Sequence, residues 1–264
     1  MAVPALRARL AGGEKIFAGW MASAYPRMAE MLGRVGFDAV IVDLQHGEAA
    51  FTEARDAIVA AHLVGKPAGI RAGLEAFGEA ARLLDCGAEF VILPMINSAA
   101  DARRLVDTLK YPPVGGRSWG PTRAVGLFET DAETYRARAN DDFIVLAMIE
   151  TRQAVEAMED ILDVPGLDGV FVGPSDLSIS LSDGARLDHR MPESVAVMER
   201  LLVAAKARRK VTAIFCSGGE AAARNAAMGF DIMAVGSDWA FFISGAQAAL
   251  KAARGDDGKK VASY

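Results

Sequence analysis

The chain has 264 residues and a mass of 27.9 kDa, with 52% hydrophobic and 24% charged residues and a net charge of −5. This composition excludes a disordered chain, a coiled coil and a collagen, and the length is enough for one full core. The acidic balance offers no global basic field for nucleic acid or an anionic membrane, and the longest apolar runs, Phe90–Ile96 and Phe143–Ile149, are far too short to span a bilayer.

The first residues carry Arg7, Arg9, Glu14 and Lys15 where a signal peptide would need an apolar stretch. Cys86 and Cys216 are too few for a disulfide framework or a zinc cage. The expectation is a cytoplasmic protein with reduced thiols and no nucleic-acid or membrane partner.

In chain order, short apolar runs alternate with longer Ala-rich amphipathic stretches. Ile16–Met21 reads as a strand, and Pro26–Val35 as a helix with Met28, Met31, Leu32 and Val35 on one face. Ala39–Leu44 is the second strand, followed by a helix over Thr52–Val64 with Thr52 as its N-cap. Strands at Ala68–Arg71 and Phe90–Met95 are followed by helices at Phe77–Leu84 and Ala99–Leu109. A helix at Ala132–Ala139 leads into a strand at Phe143–Ile149, and Gln153–Leu162 into Gly169–Val172. Pro192–Ala207, Val211–Phe215, Gly219–Met228, Asp231–Val235 and Trp239–Ala253 complete the series as helix, strand, helix, strand, helix. Most strand runs are continuously apolar, as parallel strands buried on both faces require.

Eight strands alternating with helices predict an α/β protein, a single (β/α)8 TIM barrel over residues 1–254, with 255–264 as a frayed tail. A doubly wound sheet would need a phosphate-type glycine loop after its first strand, and Met21–Tyr25 is not one. Two segments interrupt the rhythm. Tyr111–Phe128 reads as an ordered functional loop through Arg117, Trp119 and Arg123, and Leu181–Met191 is a second insertion.

In such a barrel the functional groups sit at the C-terminal ends of the strands. Those ends carry Asp43 and His46, Arg71, Glu150, Gly173-Pro-Ser-Asp176, Phe215-Cys-Ser217 and Gly236-Ser-Asp238. The opposite ends carry Asp38, Lys66, Asp142, Asp168, Lys210 and Asp231, which read as solvated lead-ins. Glu150 and Asp176 end neighbouring strands. Two hard carboxylates with water in the remaining positions suit Mg²⁺ or Mn²⁺. The bland alternative pairs Glu150 with Arg152 and makes Asp176 the cap of a short helix over Leu177–Leu181.

His46 is read as the histidine of that mouth and as a base, with Asp43 or Asp85 as its carboxylate partner. His62 and His189 are expected at the surface. Arg71 closes an apolar strand and needs an anion, either a protein carboxylate or a substrate oxyanion. The first amides of the helix after Gly173 make a site for a small carboxylate. Together these groups suit a 2-oxo acid whose negative charge grows during reaction.

With these residues in view, the chain resembles the HpcH/HpaI aldolase family, metal-dependent class II aldolases of the phosphoenolpyruvate/pyruvate barrel superfamily. The carrying segments are FDAVIVDLQHG (37–47), GIRAG (69–73), LLDCGAEFVILPMINSAADA (83–102), GGRSWGPTRA (115–124), MIETRQAVE (148–156), DGVFVGPSDLSISL (168–181) and GFDIMAVGSD (229–238). The resemblance implies His46 as catalytic base, Arg71 as transition-state stabiliser, and Asp85 as the acid that raises the histidine's basicity. It implies Glu150 and Asp176 as ligands of a divalent cation (Mg²⁺, Mn²⁺ or Co²⁺), and Ser175 with Asp176 as the carboxylate site. Gly173, Trp20 and Phe215 are assigned to substrate binding, and Asp43 is the next candidate base. One departure is Met148, where several members carry a substrate-contacting Gln.

The implied reaction is reversible cleavage of a 4-hydroxy-2-oxo acid to pyruvate, or hydroxypyruvate, and an aldehyde. No lysine ends a strand, which argues against Schiff-base chemistry: Lys15, Lys66 and Lys210 fall at strand beginnings. The rival is an acyl-CoA lyase of the citrate lyase β subunit type on the same barrel. The resemblance also implies a homotrimer or homohexamer that exchanges its last helix between subunits, and the apolar Phe241, Phe242, Ile243 and Leu250 on several sides of that helix agree with an oligomer.

Overall fold

A computed structural model describes residues 5–255. Apart from Gly255, the expected tail lies outside the described residues. Helix α1 (Ala5–Ala11) precedes β1 (Ile16–Met21), α2 (Arg27–Val35), β2 (Ala39–Asp43), α3 (Phe51–Leu63) and β3 (Ala68–Arg71). Next come α4 (Phe77–Asp85), β4 (Phe90–Leu93), α5 (Ala99–Leu109), α6 (Thr122–Leu127), α7 (Ala132–Asp142) and β5 (Ile144–Ile149). The chain continues through α8 (Arg152–Glu156), α9 (Met158–Leu162), β6 (Gly169–Val172), α10 (Pro174–Leu181) and α11 (Pro192–Ala207). It ends with β7 (Val211–Cys216), α12 (Gly219–Met228), β8 (Ile232–Val235) and α13 (Asp238–Arg254).

The eight strands are all parallel to their neighbours and close in sequence order, β8 pairing back onto β1. This is the expected (β/α)8 barrel. Alternation along each strand divides the core in two. Ile16, Ala18, Trp20, Ile41, Phe90 and Phe171 belong to the cluster that fills the barrel. Val40, Val42, Ile70, Val91 and Val145 belong to the layer between strands and helices. Among the described residues, no helix is long and apolar enough to cross a membrane.

Several local expectations change. Helix α3 starts one residue before Thr52. Its N-cap is Ala50, in extended backbone, and the Glu53 carboxylate accepts the Ala50 N–H at 3.2 Å, so Thr52 does not cap. The helix expected over 153–162 is two helices broken at Ala157, where φ is −88° and ψ is 5°. Helices α1 and α6 were not anticipated, because neither carries a long apolar stripe.

Polar residues at the N-terminal face of the barrel are structural. Asp168 is no solvated lead-in: it pairs with Lys110 at 2.7 Å and Arg7 at 2.6 Å, and accepts the Val145 N–H. His62 is buried rather than exposed. Its Nε2 lies 3.0 Å from the Gly87 carbonyl, which requires an Nε2–H donor, and 3.6 Å from Glu89. Burial pushes the His62 imidazole down and the Glu89 carboxyl up to about 8, so both favour their uncharged forms at neutral pH.

Candidate active site

At the C-terminal rim, the inward positions of three strands continue into Asp43, Arg71 and Glu150, all buried. Asp43 and Arg71 lie opposite each other in the β2–β3 register. The Arg71 Nε donates to Asp43 Oδ1 at 2.8 Å and its Nη2 donates to Oδ2. Trp20 Nε1 donates to Asp43 Oδ2 at 3.3 Å, and the Arg71 guanidinium carbon stands 4.8 Å from the Trp20 ring centroid. Of the two anions Arg71 could take, the structure supplies the protein carboxylate. Among the described residues its Nη1 has no partner and is available as a donor.

The loop after β2 folds tightly over Asp43. The Gln45 and His46 N–H groups donate to Asp43 Oδ1 at 3.0 and 3.2 Å. Gly47 permits this turn, since a Cβ there would come within 2.2 Å of the Asp43 carbonyl oxygen. Asp43 is therefore committed to Arg71, Trp20 and the loop backbone. Asp85, at the end of α4, is held by Arg117 at 2.5 Å. Neither carboxylate meets the His46 imidazole, which is exposed and makes no hydrogen bond to the described residues.

Glu150 follows β5, and its side chain is turned away from Arg152, which instead donates to the Leu181 carbonyl. One Glu150 oxygen accepts the Met95 N–H at 2.8 Å. Met95 offers that N–H from a left-handed backbone (φ 56°), unusual for a non-glycine residue. The other oxygen lies against Gly173: a Cβ there would sit 2.5 Å from Glu150 Oε2 and 2.7 Å from Met148 Cε, so a side chain at this position would push both groups aside. Burial pushes the Glu150 carboxyl up to about 7, the Met95 N–H opposing this and the nearby Asp176 charge adding to it.

Asp176 is exposed in the first turn of α10, which begins at Pro174 with Gly173 as N-cap. It is thus inside the helix and not the cap of a helix starting at Leu177. Pro174 has no N–H, so the first free amide donors are those of Ser175 and Asp176. Among the described residues, no group of three or more His, Cys, Asp or Glu could hold a metal ion. The donor set nonetheless fits a hydrated hard cation. A buried carboxylate with a single N–H donor and a second carboxylate nearby favours an added positive charge, and Mg²⁺ keeps several waters.

Trp20 packs edge-on to Phe215 (5.3 Å between centroids) and lies 6.0 Å from Phe171, forming an apolar floor with Met148. Asp238 is structural: it accepts N–H groups of Ala22 and Ser23, tying the β1 loop to α13. His189, expected at the surface, is half-buried and its Nε2 lies 2.8 Å from Ser175 Oγ. It is a second imidazole at the mouth. Nothing local in the sequence signals this, because the contact depends on how the 182–191 insertion folds back over α10. The Met95 donor was likewise unreadable, being a backbone group.

Residues 17–245 match the family model described as HpcH/HpaI aldolase/citrate lyase. A hydroxypyruvate/pyruvate aldolase of Rhizorhabdus wittichii is 35% identical over 242 residues, covering 92% of this chain and 95% of that protein. A 4-hydroxy-2-oxo-heptane-1,7-dioate aldolase of Salmonella heidelberg is 32% identical over 229 residues, covering 87% and 86%. The crystal structure of an HpcH/HpaI aldolase from Desulfitobacterium hafniense superposes with a TM-score of 0.87 at 25% identity, covering 97% and 99% of the two chains. With its barrel, its rim of carboxylates and arginine, and a match across most of its length, this chain belongs to the HpcH/HpaI aldolase/citrate lyase family.

Proposed function

We propose that this carbon–carbon lyase is a class II aldolase that reversibly cleaves a 4-hydroxy-2-oxo acid into pyruvate or hydroxypyruvate and an aldehyde. The observation that carries this reading is the buried Glu150 carboxyl, close in charge to Asp176 and facing the same rim as Arg71. The R. wittichii relative, named for hydroxypyruvate and pyruvate, supports the choice of 2-oxo acid.

Each residue then has a distinct task. The Ser175 and Asp176 N–H groups hold the substrate carboxylate at the start of α10. Arg71 Nη1 donates to the 2-oxo oxygen, and that hydrogen bond strengthens as negative charge develops there. Asp43 keeps the guanidinium fork in one orientation. His46, open to the mouth, takes the C3 proton, and Trp20 and Phe215 shield the reacting carbon from water. A divalent cation held by Glu150 and Asp176 (Mg²⁺, Mn²⁺ or Co²⁺) supplies Lewis acidity when bound.

The exposed apolar side of α13 supports a homo-oligomer. Only Asp238 of this helix is buried, Phe242 is 67% exposed, and an apolar groove of about 400 Å³ runs beside Met28, Met31, Val35, Phe241 and Phe242.

Deuterium exchange at C3 of pyruvate, followed by NMR with Mg²⁺ present, tests the reading. Wild type exchanges, and His46→Ala still binds pyruvate but exchanges about 10²–10⁴-fold more slowly. Wild-type rates in His46→Ala would transfer the role to another group, with Asp43 or solvent next. Cleavage of an acyl-CoA thioester without pyruvate exchange would replace the aldolase reading.

A further inference from the structure

Helix α10 begins the carboxylate site, so whatever fixes its first turn also fixes the Ser175 and Asp176 N–H groups. The far end of the helix is anchored from the loop after β5. The Arg152 N–H donates to Ser180 Oγ at 2.9 Å, and the Arg152 guanidinium donates to the Leu181 carbonyl. The near end is anchored from the other side. Ser175, Ser178 and Ser182, spaced i, i+3, i+7, share one face, and the 182–191 insertion folds along it. Ser178 Oγ accepts the Asp188 N–H at 3.1 Å, and Ser182 Oγ accepts the Arg186 N–H at 2.9 Å. At the first turn a side chain takes over from the insertion's backbone: Ser175 Oγ lies 2.8 Å from His189 Nε2.

Two features set this contact apart. Among the described residues, it is the one hydrogen bond that a side chain of the first turn makes outside the helix, since Pro174 has no polar group and Asp176 makes none. The imidazole, in turn, has no second anchor. It is half-buried and lines a cavity of about 560 Å³ beside α10, shared with Pro174, Ile214 and Phe215, and its Nδ1 has no hydrogen-bond partner among the described residues. A ring with open space beside it takes its orientation from its single hydrogen bond, and Ser175 is braced by that ring.

We propose that His189 is a positioning residue for the 2-oxo acid: through Ser175 it holds the first turn of α10, and with it the two N–H groups that take the substrate carboxylate. This role rests on the aldolase reading of the rim and adds to it a residue that lies on no strand end. The carboxylate does not react, so its grip is the same in the ground state and the transition state. Losing His189 therefore weakens binding of the 2-oxo acid and spares the chemical step.

The test measures binding of oxamate, an unreactive isostere of pyruvate, by calorimetry with Mg²⁺ present. The concentration dependence of pyruvate C3 exchange is measured alongside. His189→Phe keeps a ring without nitrogen, and Ser175→Ala removes the hydroxyl but keeps the backbone N–H. Each should weaken oxamate binding and raise KM for exchange by about 3- to 10-fold, as loss of one hydrogen bond allows. The value of kcat should stay within about 2-fold of wild type. The double variant should lose no more than either single one, because both remove the same contact. His189→Gln, whose amide can remake the bond, should recover most of the affinity. Ser182→Ala frees the insertion at its other end and should leave oxamate binding unchanged. Wild-type oxamate affinity in both single variants overturns the proposal. So does an equal loss in Ser182→Ala, which would reduce His189 to a tether of the insertion. Absence of pyruvate exchange in wild type would instead sink the aldolase reading, whereas oxamate affinity reports on His189 without turnover.

Discussion

Arg71 and Asp43 end two paired strands and share two parallel hydrogen bonds, so the guanidinium is oriented by the protein before any substrate arrives. Removing one partner of a buried pair leaves the other charge uncompensated. Asp43→Ala should therefore destabilise the fold by about 3 kcal/mol in urea denaturation. Arg71→Lys keeps the charge but not the fork, and should depress kcat more than it weakens pyruvate binding. An Arg71→Lys enzyme with wild-type kcat would show that bidentate geometry is unimportant.

If Glu150 and Asp176 hold the proposed cation, activity depends on adding it. Chelator treatment should abolish aldol cleavage, and Mg²⁺, Mn²⁺ or Co²⁺ should restore it. Glu150→Gln should weaken metal binding measured by calorimetry by about 10-fold or more while leaving the circular dichroism spectrum unchanged. Full activity in the chelated wild-type enzyme would remove the metal from the account.

Glu89 links stability to pH at the opposite end of the barrel. Burial raises its carboxyl from the ordinary 4.5 to about 8, and its Oε2 has no hydrogen-bond partner in the described residues. The folded state thus holds a proton that the unfolded chain releases. The stability from this group is full below about pH 4.5 and is lost as pH rises towards about 8. Glu89→Gln lacks this dependence. Between pH 5 and pH 8, wild type should lose stability relative to the variant, about 3 kcal/mol by urea denaturation. Parallel curves for the two proteins would mean that Glu89 ionises normally.

The last helix gives a test of assembly. Phe242 is 67% exposed and Phe241 stacks on Phe37 with centroids 5.8 Å apart, beside the apolar groove of α2. Light scattering of wild type should report a multiple of 27.9 kDa. Phe242→Asp should shift the population towards the single chain, because a buried unpaired carboxylate opposes association. A wild-type particle of 27.9 kDa at micromolar concentration would exclude the oligomer.

The barrel was legible because its determinants are local. Parallel strands covered on both faces need continuous apolar runs, and the runs from Ile16, Ala39, Ala68, Phe90, Phe143 and Gly169 all contain strands, the fifth beginning one residue later, at Ile144. The strand-end rule then placed Asp43, Arg71 and Glu150 on one rim, since side-chain direction follows from alternation along a strand. Partnership between those side chains was not legible. Sequence position put Asp43 near His46, but the β2–β3 register set it against Arg71, and Asp85 went to an arginine from the long loop after α5. Histidine environment escaped for the same reason. His62 is buried by the packing of α3 against the end of α4, and His189 reaches Ser175 only because an insertion folds back over α10. Strand identity and facing are set by neighbours within a few residues, so both can be read along the chain. Hydrogen-bond partners, burial of polar groups and the cavity beside α10 depend on segments distant in the chain, and they emerge only once the barrel has closed.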